Sequence, residues 1–210
     1  MTRPVKPRRY DATARRAQAA ARRRRVLDVA ERLMLRDGYD ATTVAAVAEG
    51  ADVSPETVYK SFGAKPDLVR ALVRRGLEGA GPEPAETRSD RLRATDPTSL
   101  VEGWSRLAQE VAPQVAPLLL LARAASVADP RLRQEYDELE AVRLDRMRDN
   151  ATALSALGGL REGITVDEAG DVLFAVSSPE MYEVLVLRQR WSAERYGRFV
   201  RDTLTYALLP

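Results

Sequence analysis

The stretch Thr42 to Leu68, TTVAAVAEGADVSPETVYKSFGAKPDL, constrains the fold of this chain more than any other. It spells a short helix, a tight turn, a second short helix and the mouth of a third. Thr42 or Thr43 can cap the first, because a hydroxyl accepts the free amide bonds of an opening turn. Val44, Val47 and Ala48 then share one helical face. Gly50 and Ala51 close that helix, and Asp52 sits in the turn. Ser54 is a second cap, with Pro55 at the first helical position, where a missing N–H costs nothing. Val53 and Val58 are spaced for a hydrophobic staple across that cap. Val58 and Phe62 point inward, which leaves Ser54, Pro55, Glu56, Thr57, Tyr59 and Lys60 for the outer face or the helix tip.

That outer face is polar, with short hydroxyls, a phenol and a cation. A helix-turn-helix that reads duplex DNA needs such groups, since phosphate contacts position it and base-edge contacts specify. Lys65 follows at the start of the next helix.

Residues 22–68 resemble the N-terminal domain of the tetracycline-repressor (TetR) family of bacterial regulators. The matching pieces run in order: a basic start with the apolar stripe Val26, Leu27, Ala30 and Leu33; the Asp37-Gly38-Tyr39 corner; Thr42-Thr43-Val44; Val53-Ser54; Thr57-Val58-Tyr59; Phe62; and Lys65 with Leu68. Each piece alone is weak, and together with this spacing they are specific. Two positions depart from the family pattern. Asp52 stands where glycine is usual, and aspartate tolerates the left-handed conformation better than most residues. Ala64 stands where a capping serine is common. Glu56 on the reading helix either accepts from cytosine or repels phosphate.

The resemblance implies an all-α chain with an N-terminal three-helix helix-turn-helix DNA-binding domain (residues 1–76). A C-terminal helical bundle for effector binding and dimerisation (77–210) follows it. It implies a homodimer on a palindromic operator in double-stranded DNA, with the Ser54–Phe62 helices in major grooves about 34–36 Å apart. Tyr59, Lys65 and Thr42 or Thr43 are expected on phosphates, while Ser54, Pro55, Glu56, Thr57 and Lys60 face bases or their neighbours. Repression is the family's usual mode; the sequence shows no charged, convergent constellation in the bundle, so a small, mostly apolar effector is expected to release it.

Charge supports the division. Residues 1–76 hold 17 Lys+Arg against 9 Asp+Glu, a balance of +8, and the remainder hold 16 against 22, a balance of −6. The basic end has the footprint of a polyanion binder. Arg22 to Arg25 are consecutive and so splay around a helix, where Arg22 and Arg25 are candidates for phosphate. Residues 1–11 are Pro- and Arg-rich and expected to be disordered; Arg3, Lys6, Arg8 and Arg9 suit a minor-groove arm.

No cysteine and no histidine occur. That removes disulfides, thiolate and imidazole metal sites, and Cys- or Ser–His catalysis. Neither a Gly-rich phosphate loop nor metal-ligand spacing is present, so no cofactor and no enzyme activity are expected. No apolar run reaches about 18 residues, so no membrane span is expected and a cytoplasmic location follows by default.

A helix is expected from Ala12 to Asp37, and another from Lys65 to between Gly76 and Gly79. GPEPAETRSD (81–90) reads as a connector. Asp96-Pro97 opens a helix, Pro113 and Pro117 bracket a break, and Leu118 to Ala125 is apolar enough to be central. Asp129-Pro130 caps a long helix, with stripe Leu144, Met147, Ala151 and Leu154, that ends at Gly158-Gly159. Thr165 with Glu168 makes a capping box, Ser178-Pro179-Glu180 restarts a helix, and Ser192 caps the last. Nine or ten helices and no sheet follow. Val172 to Val176 and Met181 to Leu187 are apolar on more than one face. The helices from 165 to 190 and 192 to 208 therefore either meet a partner copy or bury both faces within one chain. Trp104, Leu107, Val111, Leu121, Met147, Phe174, Met181 and Tyr182 are the best candidates for a cavity lining, although each also fits ordinary core. Trp191 suits a helical corner.

Two other readings compete. One is a helical protein-interaction or dimerisation module whose basic end binds any polyanion without sequence preference. The other keeps the DNA reader but gives the bundle no effector.

Overall fold

The computed structural model describes the backbone of residues 9–210 and side chains from residue 13 onward. Arg3, Lys6 and Arg8 and the side chain of Arg9, read above as a basic arm, lie outside the described residues, as does most of the expected disordered segment. No strand occurs among the described residues, and the chain divides into two compact units, Met1–Leu68 and Val69–Pro210.

The first unit holds α1 (Arg9–Asp37), α2 (Val44–Gly50), α3 (Pro55–Phe62) and the first turn of α4 (Lys65–Glu78). α1 begins three residues before the expected start and ends where Gly38 (φ 89°) donates its N–H to the Met34 carbonyl. Its stripe is Val26, Leu27, Val29, Ala30 and Met34; Met34 is fully buried, whereas Leu33 is only half-buried. Val44, Val47, Ala48 and Val58 complete this core.

The second unit holds the rest of α4, then α5 (Ala85–Leu92), α6 (Pro97–Ala125), α7 (Pro130–Ala156), α8 (Val166–Val176), α9 (Pro179–Tyr182) and α10 (Ala193–Leu208). A π-helical run, Glu183–Arg188, continues α9. The expected caps at Asp96, Asp129, Ser178 and Ser192 all accept from backbone N–H groups, and Thr165 and Glu168 form the full capping box.

Two expectations fail. The connector at 81–90 contains α5. Its composition favours a helix after Pro84, and burial of Ala85 and Ser89 fixes it. α6 does not break at Pro113 or Pro117. An interior proline costs about 3 kcal/mol, but the same helix buries Leu100, Val101, Trp104, Val115, Leu118 and Leu119. Each of those side chains contributes about 1.5–3 kcal/mol, enough to keep the helix whole. The core joins α6, α7, α8 and α10 through Leu100, Trp104, Ala151, Leu154, Leu173, Tyr196, Val200 and Leu204.

Candidate nucleic-acid interface and helical cavity

The corner before α3 is built from adjacent residues. Val53 donates its N–H to the Ala48 carbonyl at 3.0 Å and Ala51 to Val47 at 3.0 Å, a wrap that takes up the last free carbonyls of α2. It requires a left-handed residue, and Asp52 supplies one with φ 52°. Ser54 then caps α3, its hydroxyl accepting from the Thr57 N–H at 3.3 Å. Val58 anchors the inner side with no exposed surface, while Ser54, Pro55, Glu56, Tyr59 and Lys60 are exposed and Thr57 is half-buried. Six neighbouring side chains of one short helix are thereby brought to a common tip and outer face. The Glu56 carboxyl is held below its usual range by its own backbone N–H and the Ser54 hydroxyl, so it carries charge at neutral pH.

The flanking candidates separate. Thr43 caps α2, accepting from the Ala46 N–H at 3.0 Å, and is exposed. Thr42 is 2% exposed and gives its hydroxyl proton to the Gly38 carbonyl at 2.8 Å, so it locks the corner after α1. Arg22 is exposed. Arg25 donates to the Ala51 carbonyl at 2.8 Å and ties α1 to the end of α2. Lys65 donates to the Tyr39 carbonyl at 3.0 Å and stands 4.0 Å over the Tyr39 ring. Arg23, one of the four consecutive arginines, bonds the Ser61 carbonyl at 2.7 Å and covers Phe62 at 4.1 Å. Ala64 has no capping hydroxyl; the Asp67 carboxylate takes its N–H at 2.7 Å instead.

Within the second unit lies a cavity of about 720 Å³, inside the ordinary range for small-molecule sites. Val73 and Leu77 of α4, Ala85 and Ser89 of α5, and Trp104, Leu107, Val111, Val115 and Leu119 of α6 line it. The remaining walls include Val142, Met147 and Asn150 of α7, Leu173 and Val176 of α8, and Tyr196, Val200 and Leu204 of α10. Of the expected lining, Trp104, Leu107, Val111 and Met147 are present, and Leu121, Phe174, Met181 and Tyr182 are not among the lining residues. Phe174 instead carries the Arg143 guanidinium 3.5 Å above its ring, and Tyr182 meets the Tyr196 ring edge-on at 5.3 Å. Sequence reading missed Asn150 and Tyr196 as lining. A polar asparagine beside the apolar stripe of α7 was the available signal. Trp191 stands outside the lining, edge-on to Phe199 at 5.9 Å with Arg195 over its ring at 3.8 Å.

Three of the cavity's arginines are held in ion pairs. Arg70 makes a two-pronged ion pair with Glu135 and reaches Glu138 at 3.4 Å. Arg143 pairs with Glu140 at 3.0 Å and donates to the Phe174 carbonyl at 2.9 Å. Arg146 pairs with Asp90 at 2.8 Å. Burial, with the neighbouring Tyr182 adding to it, pushes the Tyr196 phenol up to about 12, so it stays protonated.

Residues 26–72 match the model of the bacterial regulatory proteins of the tetR family. An uncharacterized HTH-type transcriptional regulator, YvkB of Bacillus subtilis, is 37% identical over 67 residues, which is 32% of this chain and 35% of that protein. The HTH-type transcriptional repressor KstR of Rhodococcus jostii is 40% identical over 57 residues, 27% of each. The chain thus spans about a third of the length of these relatives. Solved structures share the fold over most of the chain. A SmeT–triclosan complex superposes with TM-score 0.71 at 22% identity, covering 90% of this chain and 92% of that one. NalD, described as the secondary repressor of a multidrug efflux pump in Pseudomonas aeruginosa, gives 0.69 at 17%, covering 90% and 98%. No described helix is long and apolar enough to cross a membrane.

Proposed function

We propose, from the premise that residues 26–72 place this chain in the tetR family of bacterial regulatory proteins, that it is a DNA-binding transcriptional regulator. In this reading it binds a palindromic operator as a homodimer, acts as a repressor, and is released by a small, mostly apolar effector. The observation that carries the DNA reading is the outer face of α3. Ser54, Pro55, Glu56, Tyr59 and Lys60 are exposed around the fully buried anchor Val58. Such a face supports base contacts from Ser54, Pro55, Glu56, Thr57 and Lys60 and phosphate contacts from Tyr59, Thr43, Arg22, Arg25 and Lys65. Thr42, with its proton committed to Gly38, acts through the corner that presents Thr43.

The apolar cavity supports the effector. Five of its lining residues, Arg70, Val73, Arg74, Leu77 and Glu78, belong to α4, the helix that Lys65 opens. An effector that fits better with α4 displaced would weaken operator binding, and operator would weaken effector binding by the same factor. Val184 and Leu187, 45% and 48% exposed, support a partner copy against the helices between 165 and 208.

Selection from a random duplex library at fixed, near-physiological salt tests the reading. A palindromic motif bound about a thousandfold or more above scrambled duplex is the expected result. Lys60→Ala then relaxes the motif, whereas Tyr59→Phe weakens all sequences alike. Salt-dependent binding with no motif would instead point to a polyanion-binding interaction module.

A further inference from the structure

Four buried side-chain polar atoms lack a hydrogen-bond partner among the described residues, and three belong to residues lining the cavity. They are Trp104 Nε1, Asn150 Oδ1 and the Tyr196 hydroxyl, from α6, α7 and α10. All three residues are more than nine-tenths buried, at 7%, 5% and 1% exposed. A buried polar group left without a partner is costly, and native proteins leave few of them. Their concentration on one cavity suits a ligand that satisfies them.

The donor and acceptor count identifies the ligand's polar group. Trp104 offers a donor only, the Asn150 carbonyl an acceptor only, and the Tyr196 phenol a donor that does not ionise at neutral pH. Two donors and one acceptor complement a hydroxyl, which has two lone pairs and one proton. The charged lining is balanced in sign, four arginines to four glutamates. Arg70, Arg74, Arg143 and Arg146 stand against Glu78, Glu86, Glu135 and Glu138. Three of those arginines are already paired. Met147, one turn before Asn150, is the adaptable part of that wall.

Resting on the effector reading above, we propose that the cavity selects an apolar alcohol or phenol, with Trp104, Asn150 and Tyr196 as the groups that recognise its hydroxyl. Charged molecules of the same shape are rejected because burying an uncompensated charge costs more than the apolar contact returns.

The test measures binding of naphthalene, 2-naphthol and 2-naphthoate to the full chain by calorimetry at pH 7. 2-Naphthol is expected to bind about tenfold more tightly than either of the others, the ratio one good hydrogen-bonding group supplies. Tyr196→Phe and Asn150→Leu are expected to erase that preference, bringing 2-naphthol to the affinity of naphthalene in the same variant. Without ligand, Tyr196→Phe should melt no lower than the parent, because it removes a group that has no partner. Equal binding of naphthalene and 2-naphthol, or a preference that survives both substitutions, overturns the proposal and leaves the effector cavity standing. A ligand-free Tyr196→Phe chain that melts several degrees lower also overturns it. Failure of all three compounds to bind removes the effector reading, and this proposal with it.

Discussion

Two corners of the molecule make an instructive pair. Between α2 and α3 the chain turns on residues 48 to 57, and its backbone and capping bonds join residues at most five apart: Val53 to Ala48, Ala51 to Val47, Thr57 to Ser54, with Arg25 of α1 adding one bond from a distance, to the Ala51 carbonyl. Between α4 and α5 it turns on residues 79 to 84, and the organising group comes from α6. Glu110 accepts from the Ala80 N–H at 2.6 Å and the Gly81 N–H at 3.1 Å. It also takes both prongs of Arg88, at 2.6 and 2.8 Å. Gly79 lies at φ 74°, and an added Cβ there would stand 2.5 Å from the same carboxylate. The first corner is shaped mainly by neighbours in sequence, and the second by a residue some 30 positions on.

If that contrast is right, the distant group should matter most. Removing Glu110 strands two backbone N–H groups and a partly buried guanidinium. Glu110→Ala is expected to cost about 2–3 kcal/mol in denaturant unfolding at pH 7. The acid dependence gives an independent check. Arg88 first, and then the backbone donors, hold the Glu110 carboxyl down at about 2 against an ordinary 4.5. Its stabilisation is therefore complete above about pH 4.5 and is lost as pH falls toward 2. The parent should lose stability across that window and Glu110→Ala should lose less. An unchanged acid slope together with a loss under about 0.5 kcal/mol would mean that the corner stands without it.

Pro113 probes the same contrast in the opposite direction. The sequence reads as a broken helix there, and α6 runs through it because packing on its other faces outweighs the local penalty. Pro113 is exposed, so replacing it removes no packing. Pro113→Ala should raise stability by about 2 kcal/mol, less than the full proline penalty because the unfolded chain also gains freedom. A lower melting temperature would show that α6 depends on a bend at that point.

Local groups should matter less singly. Ser54→Ala removes the cap of α3 and is expected to cost about 1 kcal/mol. DNA affinity should fall by more than that loss explains if Ser54 also meets bases, and a fall in proportion to stability would confine it to capping.

The same contrast decides what could be read in advance. α2, α3 and the turn between them were legible because Ser54, Pro55, Asp52 and the Val44, Val47, Val58 pattern encode their structure within one or two turns. The capping box at Thr165 and the restart at Ser178 were legible for that reason too. α5 was not, because Pro82 and Pro84 disguise a segment that Glu110 and the burial of Ala85 hold in place. Half of the expected cavity lining was found, since Trp104 and Met147 lie on clear stripes. Phe174 and Tyr182 look the same in sequence, and only packing sends them behind Arg143 and Tyr196. Thr42 and Thr43 are adjacent and chemically identical, and only the turn at Gly38 decides which hydroxyl is buried.

The smallest effect tests the local corner most directly. Asp52 holds φ 52° where glycine has no steric objection. A left-handed conformation costs an ordinary L-residue about 1–2 kcal/mol, and aspartate part of that. Asp52→Gly removes the strain but frees the unfolded chain by a similar amount. The net gain should be about 0.5 kcal/mol, read as a rise of about 1–2 °C in melting temperature. Asp52→Val is the informative partner, because a β-branched residue is poorly tolerated at positive φ, and it should lose about 1–2 kcal/mol. A large separation between the two variants means that this single dihedral sets the angle at which α3 leaves α2. If glycine and valine behave alike, the turn yields to its surroundings, and the first corner is held from a distance after all.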